Sequence, residues 1–179
     1  TLSAFSLEGR FSLRNEDRNY AGRLRWRHAS GGDQVLLSSP LGQGLAEIVS
    51  DANGARLTTS DGKVYAAVDA ETLTRDVLGY PLPIHRLVDW LRAREASAGA
   101  VERDALGRPV RLREDGWDIV YDYPERGADP VADAAVAPQR LIATGAASEA
   151  PIELRLRIDR WTVLPPETRL SPATLGTPP

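Results

Sequence analysis

A chain of 179 residues, 42% of them hydrophobic, is long enough to bury a sizeable core. Its net charge of −3 argues against the clustered basic surface that nucleic acid selects. The absence of cysteine excludes disulfides, thiolate metal sites and a cysteine nucleophile.

No run of about 18 apolar residues is present, so nothing reads as a membrane-spanning helix. The basic residues are nearly all arginine, with Lys63 the single lysine. The chain starts at Thr1 and contains no methionine, which reads as a processed or trimmed product. Any signal peptide or lipid-attachment cysteine is then expected before Thr1.

In chain order, Phe5, Leu7, Gly9, Phe11 and Leu13 alternate with polar residues, a strand with one apolar face. After a turn at Asn15-Glu16-Asp17, Tyr20, Gly22, Leu24 and Trp26 alternate with Ala21, Arg23, Arg25 and Arg27, giving an aromatic-aliphatic face and an arginine face. Ser30-Gly31-Gly32 turns the chain into a third strand near Gln34 to Ser38. Ser39-Pro40-Leu41-Gly42 is a third turn: Pro40 pre-sets φ, and Gly42 permits φ > 0. Turn tips face water and are normally polar. Leu41 at this tip either folds back onto the body or is held out to touch a partner or a lipid surface.

A fourth strand follows over Gly44 to Ser50. Asp51-Ala52-Asn53-Gly54 predicts a hairpin with a type I′ turn at Asn-Gly. Fifth and sixth strands cover Ala55 to Thr59 and Val64 to Val68. Asp69 can N-cap a short helix, Ala70 to Leu78, which Gly79 and Pro81 end. Pro83 opens a second helix, where Ile84, Leu87, Val88 and Leu91 form one stripe flanked by Trp90, with Arg86 and Asp89 opposite. Ala93 to Gly99 is a small-residue loop. Strands resume at Val101–Asp104, Val110–Glu114 and Trp117 to Tyr123, the last with an aromatic face. A loop from Pro124 to Pro138 precedes short strand Leu141–Thr144 and the long alternation from Ile152 to Trp161. The tail from Pro165 has few apolar anchors and is expected to be loose.

About eleven strands, nearly all with one apolar face, and a helical pair after the sixth predict a mainly β fold. The expected form is a strongly curved, incomplete antiparallel barrel with a helical lid over an apolar cavity. Residues 1–164 read as one domain and 165–179 as the tail. Enzyme signatures are missing: His28 and His85 lack metal spacing and read as surface residues, no Gly-x-Ser-x-Gly elbow occurs, and Glu47 replaces the third glycine of a nucleotide loop. Asp118 and Asp122 read as a solvated face rather than an acid–base pair.

Several stretches together resemble one family. They are Leu7-Glu8-Gly9-Arg10-Phe11, Ser39-Pro40-Leu41-Gly42, Gly79-Tyr80-Pro81-Leu82-Pro83 with Leu87-Val88-Asp89-Trp90-Leu91, and Gly116-Trp117-Asp118-Ile119-Val120-Tyr121, supported by Ile158-Asp159-Arg160-Trp161. Their order is similar to that of LolB, the outer-membrane lipoprotein receptor family of Gram-negative bacteria. The resemblance implies an eleven-stranded incomplete barrel with a lid, no enzyme activity, and no cofactor or nucleotide. It implies lipid anchoring at the periplasmic face of the outer membrane. The partners implied are a LolA-type periplasmic carrier, lipoprotein acyl chains and outer-membrane phospholipid. No nucleic acid is expected, and the chain is expected to be monomeric. It further implies that Pro40, Leu41 and Gly42 form a membrane-insertion loop with Leu41 protruding.

An acyl chain in water costs about 0.8 kcal/mol per CH₂, so such a receptor must take chains directly into an apolar site. The expected lining is Phe11, Leu24, Trp26, Trp117, Ile119, Tyr121, Leu154 and Leu156 from strands and Leu87, Val88 and Leu91 from the lid. For each residue alone, ordinary core packing is the competing reading. Two other functions remain open at this point: a soluble carrier of the LolA type, and a solid β-barrel that binds protein through its surface.

Overall fold

The computed structural model describes residues 4–91, 100–125, 137–145, 151–165 and 170. Among the described residues, eleven strands form one antiparallel sheet, and two helices follow the sixth strand. The strands are β1 (Phe5–Arg14), β2 (Asn19–Ala29), β3 (Gly32–Ser38), β4 (Gly44–Asp51), β5 (Gly54–Thr59), β6 (Val64–Ala67), β7 (Ala100–Arg103), β8 (Pro109–Glu114), β9 (Trp117–Asp122), β10 (Arg140–Gly145) and β11 (Ile152–Val163). The helices are α1 (Ala70–Leu78) and α2 (Ile84–Leu91). The order is β6-β5-β4-β3-β2-β1-β11-β10-β9-β8-β7, so β6 and β7 are the two edges and the sheet is not closed. The loop expected at Ala93–Gly99, most of that at Pro124–Pro138, and the tail apart from Pro165 and Leu170 lie outside the described residues.

The residues group into two compact units. The first comprises Thr1–Glu8, Gly22–His85 and Arg160–Pro179. Its strands are a meander with tight turns, and the register builds the core row by row. Trp26 faces Val35, Val35 faces Ile48 and Ile48 faces Leu57, and all four side chains are buried. Period-two alternation in each strand makes this possible, because a one-residue slip would turn every one of them outward. Phe5 is buried beneath Trp161, with ring centroids 4.5 Å apart and planes 18° from parallel. Helix α1 starts where expected: Asp69 Oδ1 accepts the backbone N–H of Thr72 at 2.7 Å. It ends where expected at Gly79, whose φ of 83° is the left-handed value a C-terminal glycine supplies. The buried Thr74 hydroxyl accepts the Leu82 N–H at 2.8 Å and so ties the connection after α1 back to that helix.

Two expectations fail in this unit. His28 is not a surface residue: it stacks on Phe5 and its Nδ1 lies 2.8 Å from Asp33 Oδ1, which also accepts the Trp26 indole N–H. The hairpin at 51–54 forms, but not with a type I′ turn. Asp51 pairs with Gly54 and neither Ala52 nor Asn53 has positive φ. The Asp51 carboxylate instead accepts the Asn53 N–H at 2.7 Å, and Gly54 alone takes φ of 136°.

The second unit comprises Gly9–Ala21 and Arg86–Asp159. Three rows of buried residues cross it. One row is Glu114, Trp117, Gly145 and Ile152; the next is Leu112, Ile119, Ala143 and Leu154; the third is Tyr121, Leu141 and Leu156. The β8–β9 hairpin turns through Asp115 (φ 45°) and Gly116 (φ 80°), the type I′ pattern that the sequence reading had assigned to 51–54. Gly145 is required by Trp117, since a Cβ there would lie 2.8 Å from the indole ring. Gly9 is required by β11, since its Cβ would lie 2.1 Å from the Arg157 carbonyl oxygen. Arg10 reaches the same strand through a two-pronged contact with Asp159, at 3.2 and 2.9 Å.

Candidate functional site

Two features qualify as sites: the turn between β3 and β4, and the apolar face of the second unit. The turn is held by its own backbone. Gly42 N–H donates to Ser39 O at 2.8 Å, Ser39 N–H to Gln43 O at 2.8 Å, and Gln43 N–H to the Ser39 hydroxyl at 3.1 Å. Pro40 and Leu41 are therefore the two central residues of a β-turn, and Gly42 follows with φ of 89°. Leu41 has negative φ, which gives a type I rather than a type II arrangement. None of these bonds uses the Leu41 side chain, which is 97% exposed. Leu41 does not fold back onto the body. Leu45, the second residue of β4, is also exposed.

The apolar face gathers most of the residues assigned to it from sequence. Trp117, Ile119, Tyr121, Leu154 and Leu156 lie in the three buried rows of the second unit. Leu87, Val88 and Leu91 are buried along α2. Leu24 and Trp26 are buried in the first unit, on the face that carries Val35 and Ile48. Phe11 is only half-buried, and it borders a groove of about 260 Å³ lined by Arg10, Ser12, Arg140, Ile142, Arg155, Leu156 and Arg157.

The arrangement at α2 differs from the single stripe expected. Trp90 does not merely flank the stripe: it is fully buried, its ring 5.4 Å from that of Trp117. Its indole N–H donates to Glu114 Oε1 at 2.6 Å. Arg86, one helical turn earlier, is not free on the opposite side. Its guanidinium lies 3.5 Å from Glu114 Oε1 and contacts the Asp115 carboxylate. The sequence reading missed Glu114 because its strand ends there and a glutamate at a strand end reads as solvated. The available signal was its place in the β8 alternation with Leu112.

Glu114 Oε2 and the Tyr121 hydroxyl are buried and have no hydrogen-bond partner among the described residues. Burial pushes the Tyr121 hydroxyl pKa far above its ordinary value, with smaller contributions from Tyr123 and Glu114, so the proton stays on. Tyr123, next along, is pushed up to about 12 mainly by burial, and its hydroxyl donates to Pro109 O at 2.9 Å. Asp118 is held by Arg111, whose Nε–H donates to Oδ1 at 2.8 Å, and its pKa is lowered chiefly by that bond. Asp122 lies 3.9 Å from Arg140. His85 is exposed, 3.9 Å from Glu71.

The sequence profile of the outer membrane lipoprotein LolB family matches residues 3–161. The chain is 42% identical to the outer-membrane lipoprotein LolB of Thiobacillus denitrificans over 164 residues, covering 90% of this chain and 82% of that one. It is 42% identical to the LolB of Dechloromonas aromatica over 166 residues, covering 90% and 83%. In fold it is similar to a LolA superfamily protein from Nitrosomonas europaea, with a TM-score of 0.50 at 9% identity over 92% of this chain and 87% of that one. A domain from Vibrio parahaemolyticus provisionally assigned to outer-membrane lipoprotein sorting matches with a TM-score of 0.55 at 11% identity, over 98% and 90%.

Proposed function

The chain belongs to the LolB family of outer-membrane lipoproteins, and from that premise we propose that it is a lipoprotein receptor: it accepts lipoproteins from a periplasmic carrier of the LolA type and passes them into the outer membrane. The observation that carries this reading is Leu41, an apolar side chain 97% exposed at the tip of a turn whose own hydrogen bonds hold it there. A soluble carrier has no evident use for such a residue, whereas a receptor that must hand its cargo to lipid does. In this reading the chain acts as a monomer, lipid-anchored on the periplasmic face.

The acyl chains lie against apolar side chains: Trp117, Ile119, Tyr121, Leu154 and Leu156 on the strands of the second unit, and Leu87, Val88 and Leu91 on α2. Leu24 and Trp26 give the first unit an apolar face of the same character. No nucleotide is needed if each station holds the chains more tightly than the one before, with the bilayer last. The Pro40-Leu41-Gly42 turn then touches the lipid and brings the cargo to it.

The test is reconstituted transfer. Carrier loaded with lipoprotein is mixed with this chain and then with liposomes, without nucleotide. The expected result is movement of the lipoprotein first onto this chain and then into the vesicles. If the lipoprotein stays on the carrier, or moves only when ATP is supplied, the reading fails.

A further inference from the structure

The apolar face of the second unit carries two buried polar groups that none of the described residues satisfies. Glu114 is 8% exposed and Tyr121 is 4% exposed. Both stand on the face shared by Leu112, Trp117 and Ile119, since Glu114 pairs with Trp117 and Leu112 with Ile119 across the β8–β9 hairpin. One Glu114 oxygen, Oε1, is committed to the Trp90 indole N–H at 2.6 Å, with Arg86 at 3.5 Å. The other, Oε2, has no partner among the described residues, and neither has the Tyr121 hydroxyl. Leaving such groups unpaired in an apolar interior is costly, and each one calls for an explanation. The Trp90 bond also fixes which oxygen is left over, so the free acceptor is held in place rather than drifting.

We propose that Glu114 Oε2 and the Tyr121 hydroxyl bind the polar head of an amide-linked acyl chain, the carboxylate accepting an amide N–H and the phenol donating to a carbonyl. This rests on the acyl-binding reading above and adds a choice of substrate to it. An ester offers only acceptors, so it can use Tyr121 but not Glu114. A secondary amide offers both a carbonyl and an N–H, so it can use both. Because burial keeps the Tyr121 proton on, the phenol remains a donor throughout the physiological range. The acyl tails would then lie on Trp117 and Ile119, with the head fixed at one end of them.

Two variants separate this from a structural role. Tyr121→Phe removes only the unpaired hydroxyl. Without ligand the melting temperature is expected to stay level or rise, because a buried unsatisfied group is lost. Affinity for ligands carrying a carbonyl is expected to fall about tenfold. In Glu114→Gln the side-chain oxygen is kept toward the Trp90 N–H, so an NH₂ group replaces the free acceptor and faces the ligand N–H. The preference for amide over ester is expected to disappear or invert.

The experiment measures displacement of a fluorescent fatty acid from the full chain by N-palmitoylglycine methyl ester and by methyl palmitate. Wild type is expected to favour the amide about tenfold, the gain of one charge-assisted hydrogen bond. A bridging water in place of a ligand head predicts equal affinities for amide and ester in wild type, no loss of affinity in Tyr121→Phe and an unchanged ratio in Glu114→Gln; that result overturns the inference and leaves the acyl site standing. A fall in the melting temperature of Tyr121→Phe with no change in affinity also overturns it, by showing that the hydroxyl is structural. If neither compound displaces the probe, or the probe itself does not bind, the acyl-binding reading falls and this inference falls with it.

Discussion

Leu41→Glu tests whether the exposed leucine serves membrane contact. Burying a leucine side chain fully contributes about 1.5–3 kcal/mol. Leu41 is 97% exposed, so nearly all of that remains available for transfer into lipid. At about 1.4 kcal/mol per factor of ten, the partitioning gain is roughly 10- to 150-fold. That is too little to anchor a protein alone, but it is enough to bias a tethered one toward placing its loop in the bilayer. Glutamate removes the gain and adds the cost of stripping water from a carboxylate, so delivery should drop at least tenfold. Folding should change little, because the turn is held by Ser39, Gly42 and Gln43 rather than by the leucine. The expected change in stability is within about 0.5 kcal/mol, or roughly 1–2 °C in melting temperature. Three measurements on one variant decide the matter: a melting curve, carrier-to-receptor transfer, and receptor-to-liposome transfer. Only the third should fail, and Leu41→Met should restore it. Normal delivery to liposomes by Leu41→Glu would refute the reasoning, and so would a melting temperature several degrees lower.

Three further outcomes follow from the packing. Gly9→Ala should destabilise the fold by about 3 kcal/mol, roughly 6–12 °C, because its Cβ meets the β11 backbone oxygen 2.1 Å away; thermal melting that moves by less than a degree would contradict that contact. Trp90→Phe should cost about 2–4 kcal/mol in denaturant unfolding, since it shrinks a fully buried ring and takes the indole donor from Glu114; a midpoint equal to wild type would show that the bond contributes nothing. Asp118 has a folded pKa lowered first by its bond to Arg111, so its stabilisation is present above the unfolded carboxylate value of about 3.9 and is lost as pH falls through the lower folded value. Melting temperatures of wild type and Asp118→Asn should therefore differ by a constant offset from pH 8 to about pH 5 and converge in more acid solution; an offset that persists unchanged to pH 2 would reject the assignment.

Much of the architecture was legible in the chain because alternation is a local signal. The buried faces of β2, β5, β9 and β11, the Asp69 cap, the Gly79 stop and the turn at Pro40-Leu41-Gly42 depend on residues within a few positions of one another and are found where the pattern placed them, whereas the edge strand β6 leaves Val64 and Tyr65 exposed. The candidate site was legible only in part. Leu87, Val88, Trp117, Ile119 and Leu154 could be assigned to an apolar face, but periodicity describes a side chain relative to its own element and does not say what stands opposite. Trp90 meets Glu114 across 24 positions of sequence, and Gly9 meets Arg157 across the breadth of the chain. Those partners decide that Trp90 is core, that Gly9 is a contact point rather than a signature alone, and that His28 is held by Phe5 and Asp33. They also decide that Glu114 has one oxygen satisfied and one left over. Leu41 shows the same division. Local sequence dictated the turn, but whether its leucine pointed inward or outward depended on whether any other part of the fold offered it a surface, and none of the described residues does.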